Sequence, residues 1–494
     1  MLQVVKKGTV ISMKEEVLRL EKVTRIVDGV TLLDNFNLHI YQGEIMGLVC
    51  INAHGEKELV DLLCKNLPLH YGRIYLNETM VNSYEESTLG LNKVIVIEKE
   101  NGLVEDLTVV DNIFVLKSGF KSYLIHKRIL NAGLKNAIQK LEMKLEGNEP
   151  VSKLSALEKC LVLLLKAVVA GVRLVIIKDI SNYLSAAELV LFHKLIRYYC
   201  GEGLSFLYIC NHHEEAFQIC DRIALMENGK IIKVLDHKEF TDDKIKPYCK
   251  DFYDIKNPET KKVHKKKILQ LQNISTGHIR DLSFSVEKGE CTVLLDMNNT
   301  ILMDIIDLMN GALTPVSGSI LLDGEPYLGK KPSYALKKGV CFINEYPLQT
   351  MVFKDLGYFE NLIFLLNRKQ WNLHLRKRLL WSIAQEYMPM VGESIHVKEV
   401  SALPPAVLYS MIYNRVHLYN PKVVFCIQPF SGADMYLRMH IIYLIQELKK
   451  KGITVIILAV SLSDSLVVAD RLMVIENGQL SKDYDSSKFI WFRS

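Results

Sequence analysis

Nowhere in the 494 residues is there a CxxC pair or a cysteine–histidine ladder, and the ten cysteines lie scattered. Neither a zinc site nor a disulfide framework is indicated, so a reducing cytosol is the expected compartment. A long unbroken apolar run is also missing. The longest, 160–177, is interrupted by Lys166 and Arg173, and reads as a helix, a turn at Gly171 and a buried strand rather than a membrane span. The first twenty residues lack the apolar core and small-residue cleavage site of a signal peptide. Net charge is only +5, too little and too dispersed for a nucleic-acid footprint. No nucleic-acid partner is expected, and any membrane role has to run through another protein.

What the chain does have is ordinary globular composition, 49% hydrophobic and 24% charged, and too much length for one core. It also repeats itself. Asp221, Arg222, Glu227, Asn228 and Gly229 return as Asp470, Arg471, Glu476, Asn477 and Gly478, about 249 positions later. Upstream, LDNFNLHIYQGE ending at Gly43-Glu44 is echoed by IRDLSFSVEKGE ending at Gly289-Glu290. Two echoes in register mean a duplication of whole domains. We expect a first domain over 16–240, a linker over 241–267 and a second domain over 268–490. The linker is polar, carries Pro247 and Pro258, and ends in a lysine cluster at 261–267. Its lysines read as solvated, with anionic lipid headgroups as the alternative.

In each copy an apolar strand follows the Gly-Glu turn, then a polar loop and a helix: GLVCINAHGEKEL in the first, TVLLDMNNTILMDII in the second. Further apolar strands at 174–177 and 204–209, echoed at 423–426 and 454–458, alternate with helices, which implies a parallel sheet covered on both faces. Between 107 and 166 the period is helical. In order and spacing these segments resemble the tandem ATPase subunits of sugar-importing ABC transporters, of the ribose, galactose and xylose type, over nearly the whole chain. The resemblance implies an α/β fold of two tandem P-loop NTPase-like cassettes. Each has a mostly parallel sheet core, an antiparallel β subdomain and a helical subdomain. It implies ATP and Mg as cofactors, membrane permease subunits as partners together with a sugar-binding or sensor protein, and a peripheral place at the inner face of the cell membrane. The two cassettes are expected to pair within the chain or with a second copy.

The chemistry of the motifs departs from that pattern. A P-loop needs glycines so that backbone N–H groups face phosphate, and a lysine to neutralise it. In the first copy the glycine positions fall at Cys50, Ala53 and Gly55, the lysine at Glu56 and the Mg-binding hydroxyl at Lys57. A carboxylate in place of the lysine turns attraction into repulsion, about 4 kcal/mol for one close charge pair. In the second copy Leu302 stands at the lysine position. For the Mg-positioning aspartate and the water-orienting glutamate, the first copy offers Asp179 and Ile180 and the second Ile427 and Gln428. Asp434 still matches the loop that follows.

The signature segment retains Ser155 in KLSALEKC, whereas Pro404 and Pro405 occupy its counterpart. Ser155 also reads simply as an N-cap. Asn211 takes the switch-histidine position, Lys99 the usual glutamine and Val27 the adenine-stacking aromatic. His212 and His213 read as a surface pair. In this family each ATP lies between the P-loop of one cassette and the signature of the other, so both composite sites lose both halves. The catalytic positions Glu56, Ile180, Asn211, Leu302 and Gln428 are thus degenerate. Asn52, Gly55, Lys57, Ser155 and Asp434 remain as vestigial nucleotide contacts and Asp179 as the one metal ligand. Two readings follow: an ATPase-deficient scaffold or regulatory subunit of a permease, or a sugar-import ATPase with atypical hydrolysis. A ribosome-acting cassette pair is disfavoured, because such proteins keep their ATP motifs and have a longer charged helical linker.

Overall fold

The computed structural model describes residues 15–86, 90–99, 102–114, 145–248, 266–366, 373–462 and 465–492, with backbone pairs at 5–6 and 9–10. The chain divides into two compact units, Met1–Tyr253 and Asp254–Ser494. The 261–265 part of the lysine cluster and the 115–144 part of the expected helical segment fall outside the described residues.

In the first unit a six-stranded sheet runs in the order Lys230–Asp236, Arg222–Glu227, Ile45–Cys50, Ser205–Cys210, Leu174–Lys178, Val94–Ile97. All neighbours are parallel except the hairpin edge Lys230–Asp236. The second unit has the same order with Gln479–Asp485, Arg471–Glu476, Cys291–Asp296, Thr454–Ala459, Val423–Ile427 and Val340–Ile343. Each unit adds a four-stranded antiparallel sheet. Strands buried on both faces explain the near-continuous apolar runs; Ile45–Cys50 and Cys291–Asp296 are buried at every residue. Leu294 and the helix Leu302–Asn310 pack against the antiparallel sheet. On the opposite face Cys291, Val293 and Leu295 meet the helices Pro405–Tyr419 and Met435–Lys450. The apolar stretch around 160–177 is, as its interruptions suggest, the helix Ala156–Val169 followed by the strand Leu174–Lys178. Among the described residues no helix is long and apolar enough to cross a membrane.

The repeated motifs bond to each other. Asp221 Oδ2 accepts from the N–H of Ile45 at 2.8 Å, and Asp470 Oδ2 from that of Cys291 at 2.8 Å. Arg222 Nε donates to Glu44 at 2.6 Å, while Arg471 stands 3.9 Å from Glu290. Each arginine also donates to a carbonyl of the antiparallel sheet, at His39 and Ser285 respectively. Gly-Glu and Asp-Arg therefore recur together because they form one clamp at the entry of the central strand.

A second repeated lock, which the sequence reading missed, is Asn112 and Asn361. Asn112 bonds both main-chain groups of Val104, and Asn361 both of Phe353. The 249-residue spacing of the pair was the available signal. The first eight residues of the expected linker fold onto the first unit, with a helical turn at Asp242–Ile245 and Ile245 fully buried.

Glu44 is buried and loses its cation if Arg222 is removed, so Arg222→Met is expected to destabilise the first unit by about 3 kcal/mol. Arg471→Met, whose glutamate is farther away, should cost about 1 kcal/mol; thermal unfolding of the two variants checks the order. Burial pushes His193 and His417 down to about 4 from an ordinary 6.5, with the positive charges of Arg197 and Lys451 adding to the effect. Protonation then favours the unfolded chain. The stability these neutral imidazoles contribute is full above 6.5 and lost as pH falls toward about 4. Unfolding temperature measured across that window should fall less steeply in a His193→Gln, His417→Gln double variant than in the wild type.

Candidate functional site

The central strand, its following loop and the helix after it form the candidate site in each unit. In the first, Cys50 ends the strand and Glu56 opens the helix Glu56–Cys64. Glu56 is 6% exposed and pairs with Lys178 Nζ at 2.9 Å. Burial works against the Lys178 ammonium, but Glu56, Asp179 and Glu98 outweigh it and hold its pKa above the ordinary lysine range. Cys50, fully buried, is pushed well up by burial and then by the charges of Glu56 and Asp179, so it is an inert thiol.

The other candidates in this unit have structural partners. Lys57 is exposed beside the loop. Asn52 reads the Glu-Asn-Gly turn: its Oδ1 accepts from the N–H of Asn228 at 3.0 Å and its Nδ2 donates to the Asn228 side chain at 2.8 Å. Gly55 has φ +82, and a Cβ there would lie 2.1 Å from the carbonyl oxygen of Leu32. Its glycine is demanded by that approach alone. Ser155 caps the helix Ala156–Val169 in a capping box closed by Glu158, the bland reading of that serine.

Strand pairing revises one alignment. Lys178 pairs with Ile209, and Ile427 with Leu458. The next residues, Asp179 and Gln428, both take left-handed φ (47° and 41°) and donate their N–H to those same partners, Ile209 and Leu458. Gln428 is therefore the counterpart of Asp179, and Ile427 that of Lys178, one residue away from the pairing of Asp179 with Ile427 read from the sequence. Asp179 accepts from Asn211 Nδ2 at 3.1 Å, and Ile180 is fully buried. Lys99 follows the edge strand Val94–Ile97, and Val27 ends a strand of the antiparallel sheet half-buried. His213 is not at the surface: it is 2% exposed and bonds Asp242 at 3.2 Å. Its helix places it inward, a direction that the polar sequence around it concealed.

In the second unit Leu302 opens the helix Leu302–Asn310 and enters the core. Asp296, at the end of the central strand, accepts N–H groups from the loop at Asn298 (3.2 Å), Thr300 (2.7 Å) and Ile301 (2.7 Å). Asn298 repeats the task of Asn52, accepting from the N–H of Asn477 at 2.7 Å. Pro404 and Pro405 start the helix Pro405–Tyr419, where missing N–H donors cost nothing. Asp434 caps Met435–Lys450, accepting from Leu437 at 2.8 Å. Among the described residues no cluster of His, Cys, Asp and Glu suits a metal ion.

A triphosphate with Mg does not fit these side chains as they stand. A buried carboxylate holds the cation position of the first loop, and another carboxylate takes the donors of the second.

The model of the ABC transporter family matches residues 33–180. The galactose/methyl galactoside import ATP-binding protein MglA of Haemophilus influenzae is 26% identical, covering 95% of each chain. The ribose import ATP-binding protein RbsA of Oceanobacillus iheyensis is 23% identical, covering 94% of each. Among solved structures, the archaeal ribosome recycling factor aABCE1, in complex with the stalk protein aP1, gives a TM-score of 0.58 at 16% identity. It covers 94% of this chain and 89% of that one, a likeness of fold. With the same strand order in both units and relatives matched over nearly their whole length, the chain is similar to tandem ATP-binding-cassette proteins, and its first unit carries the match to the ABC transporter family.

Proposed function

We propose that the chain is a subunit of an import system of the sugar-transporter type that docks a membrane permease and acts as a scaffold or regulator rather than as an ATP-hydrolysing motor. The supporting observation is the ion pair between buried Glu56 and half-buried Lys178. Where the resemblance puts the phosphate lysine there is a carboxylate. Lys178 shares the strand register of Ile427, the first of the two substituted positions in the second copy, which supports Lys178 rather than Asp179 at the place of the Mg-positioning aspartate. The two charges of a nucleotide site are thereby exchanged, and the pair neutralises itself without a ligand.

The relatives matched over their full length are import ATP-binding proteins, which supports permease subunits as partners, with a sugar-binding or sensor protein beyond them. It also supports a cytoplasmic, peripheral position at the inner face of the membrane, held through those partners. The domains are 16–240 and 268–490 with 241–267 between them, the first eight residues of that segment packing on the first unit. Asn52, Gly55, Lys57, Ser155 and Asp434 then serve packing, caps and surface rather than ATP. The second reading, an ATPase with atypical hydrolysis, is favoured by one observation: Asp179 keeps a carboxylate beside Asn211.

Titration of the purified chain with a fluorescent ATP analogue and Mg separates them. We expect no saturable binding tighter than about 1 mM, and none in Glu56→Lys, which sets a second ammonium against Lys178. Tighter binding is expected in the paired Glu56→Lys, Lys178→Asp exchange. Saturable submillimolar binding by the wild type, abolished by Asp179→Ala, would establish the ATPase reading instead.

A further inference from the structure

The second unit shows a different solution to the same vacancy of chemistry. The helix Leu302–Asn310 opens with N–H groups that need acceptors, yet its N-cap residue, Ile301, has no side chain able to supply one. What is satisfied instead is the turn leading into it: Asp296, five residues before Ile301, accepts from the loop and from the N–H of Ile301 itself. Asp296 is 1% exposed, and burying a carboxylate costs several kcal/mol unless strong partners surround it. Those partners are the main-chain N–H groups of Asn298, Thr300 and Ile301, two of them at 2.7 Å, the short distance of charge-assisted bonds. The positive end of the helix dipole faces the same carboxylate.

Period-two alternation explains why residue 296 can do this. Leu294 packs against the antiparallel sheet and the helix Leu302–Asn310, so Asp296, two residues on, points from the same face into the loop. The first unit has Cys50 at the matching register: Cys50 pairs with Met226 as Asp296 pairs with Ile475. A thiol cannot serve as an anion there, and the first loop receives its carboxylate from the helix side, through Glu56.

We propose that Asp296 is a built-in anion that permanently occupies the phosphate cradle of the second unit, so that this loop keeps its ligand-bound shape with no ligand. The proposal extends the preceding reading to the second unit. Its test uses inorganic phosphate and amide exchange, so failure of either reading leaves the other standing.

Two variants of the full chain carry the test, Asp296→Ala, which empties the cradle, and Asp296→Asn, which keeps an acceptor and removes the charge. In the wild type the amides of Thr300 and Ile301 should exchange with deuterium slowly. They should exchange on the order of tenfold to a hundredfold faster in Asp296→Ala, with Asp296→Asn between. Inorganic phosphate should raise the unfolding temperature of Asp296→Ala and slow those two amides again, while leaving the wild type unchanged. If Asp296→Ala does not fold, the exchange rates in the wild type and Asp296→Asn decide. Unprotected Thr300 and Ile301 amides in the wild type overturn the proposal. So does phosphate that stabilises wild type and Asp296→Ala alike, or that stabilises neither.

Discussion

Each unit hangs on the way its central strand is held at its entry. The strand lies between two parallel neighbours, and its first N–H, at Ile45 or Cys291, is taken by an aspartate from the turn before the next strand. The adjoining arginine reaches back to the Gly-Glu turn and to a carbonyl of the antiparallel sheet. That one clamp joins the central sheet to the antiparallel sheet and fixes the start of a strand that ends five residues later. Everything at the candidate site is measured from that end: the loop, the first turn of the helix, and the residue whose side chain faces the loop. The clamp has been kept in both copies, and it is indifferent to whether a nucleotide binds.

The residues that survive from a phosphate loop illustrate the same indifference. Gly55 stands where a phosphate-facing glycine is expected, but the Leu32 carbonyl fills the space a Cβ would need, and Gly229 approaches that same oxygen, at 2.0 Å, from the Glu-Asn-Gly turn. Two glycines from distant parts of the chain enclose one carbonyl, so losing either one strains the unit. Asn52 and Asn298 persist for a related reason, holding the Glu-Asn-Gly turns against the loops. A conserved-looking residue in a phosphate loop is thus weak testimony to phosphate when the loop is also a packing surface.

Much of the fold was legible because it follows from repetition and alternation. The duplicated Asp-Arg and Gly-Glu segments, the doubly buried strands and the cap at Ser155 are all local patterns, and the structure places them as such. The site was legible only to within one residue. Asp179 looks like a strand-ending carboxylate, but it lies past the end of the strand in a left-handed turn, and Lys178 is the last paired residue. Register of that kind is set by neighbouring strands and has no trace in the local sequence. The burial of His213 was hidden likewise, since Asp242, its partner, lies 29 residues further on. Asp296 was invisible for another reason: a motif search asks whether a ligand's contacts remain, and not whether a carboxylate of the chain itself accepts the loop's N–H groups.

On the proposed reading, loss of phosphate chemistry has not left the charges of Glu56, Lys178 or Asp296 bare. Simple decay would leave an unneutralised lysine or a set of unsatisfied N–H groups, each costing roughly 1–3 kcal/mol when buried. Instead the first loop exchanges the signs of two facing residues, so that a helix-opening carboxylate meets a strand-ending ammonium. The second turns a strand-ending aspartate onto the loop's own N–H groups. These arrangements share no residue type at equivalent positions, yet each gives its buried carboxylate partners from within the chain. Two independent routes to one outcome point to a constraint on the shape of the loop itself. A loop held in shape by its own side chains would suit the docking subunit proposed above.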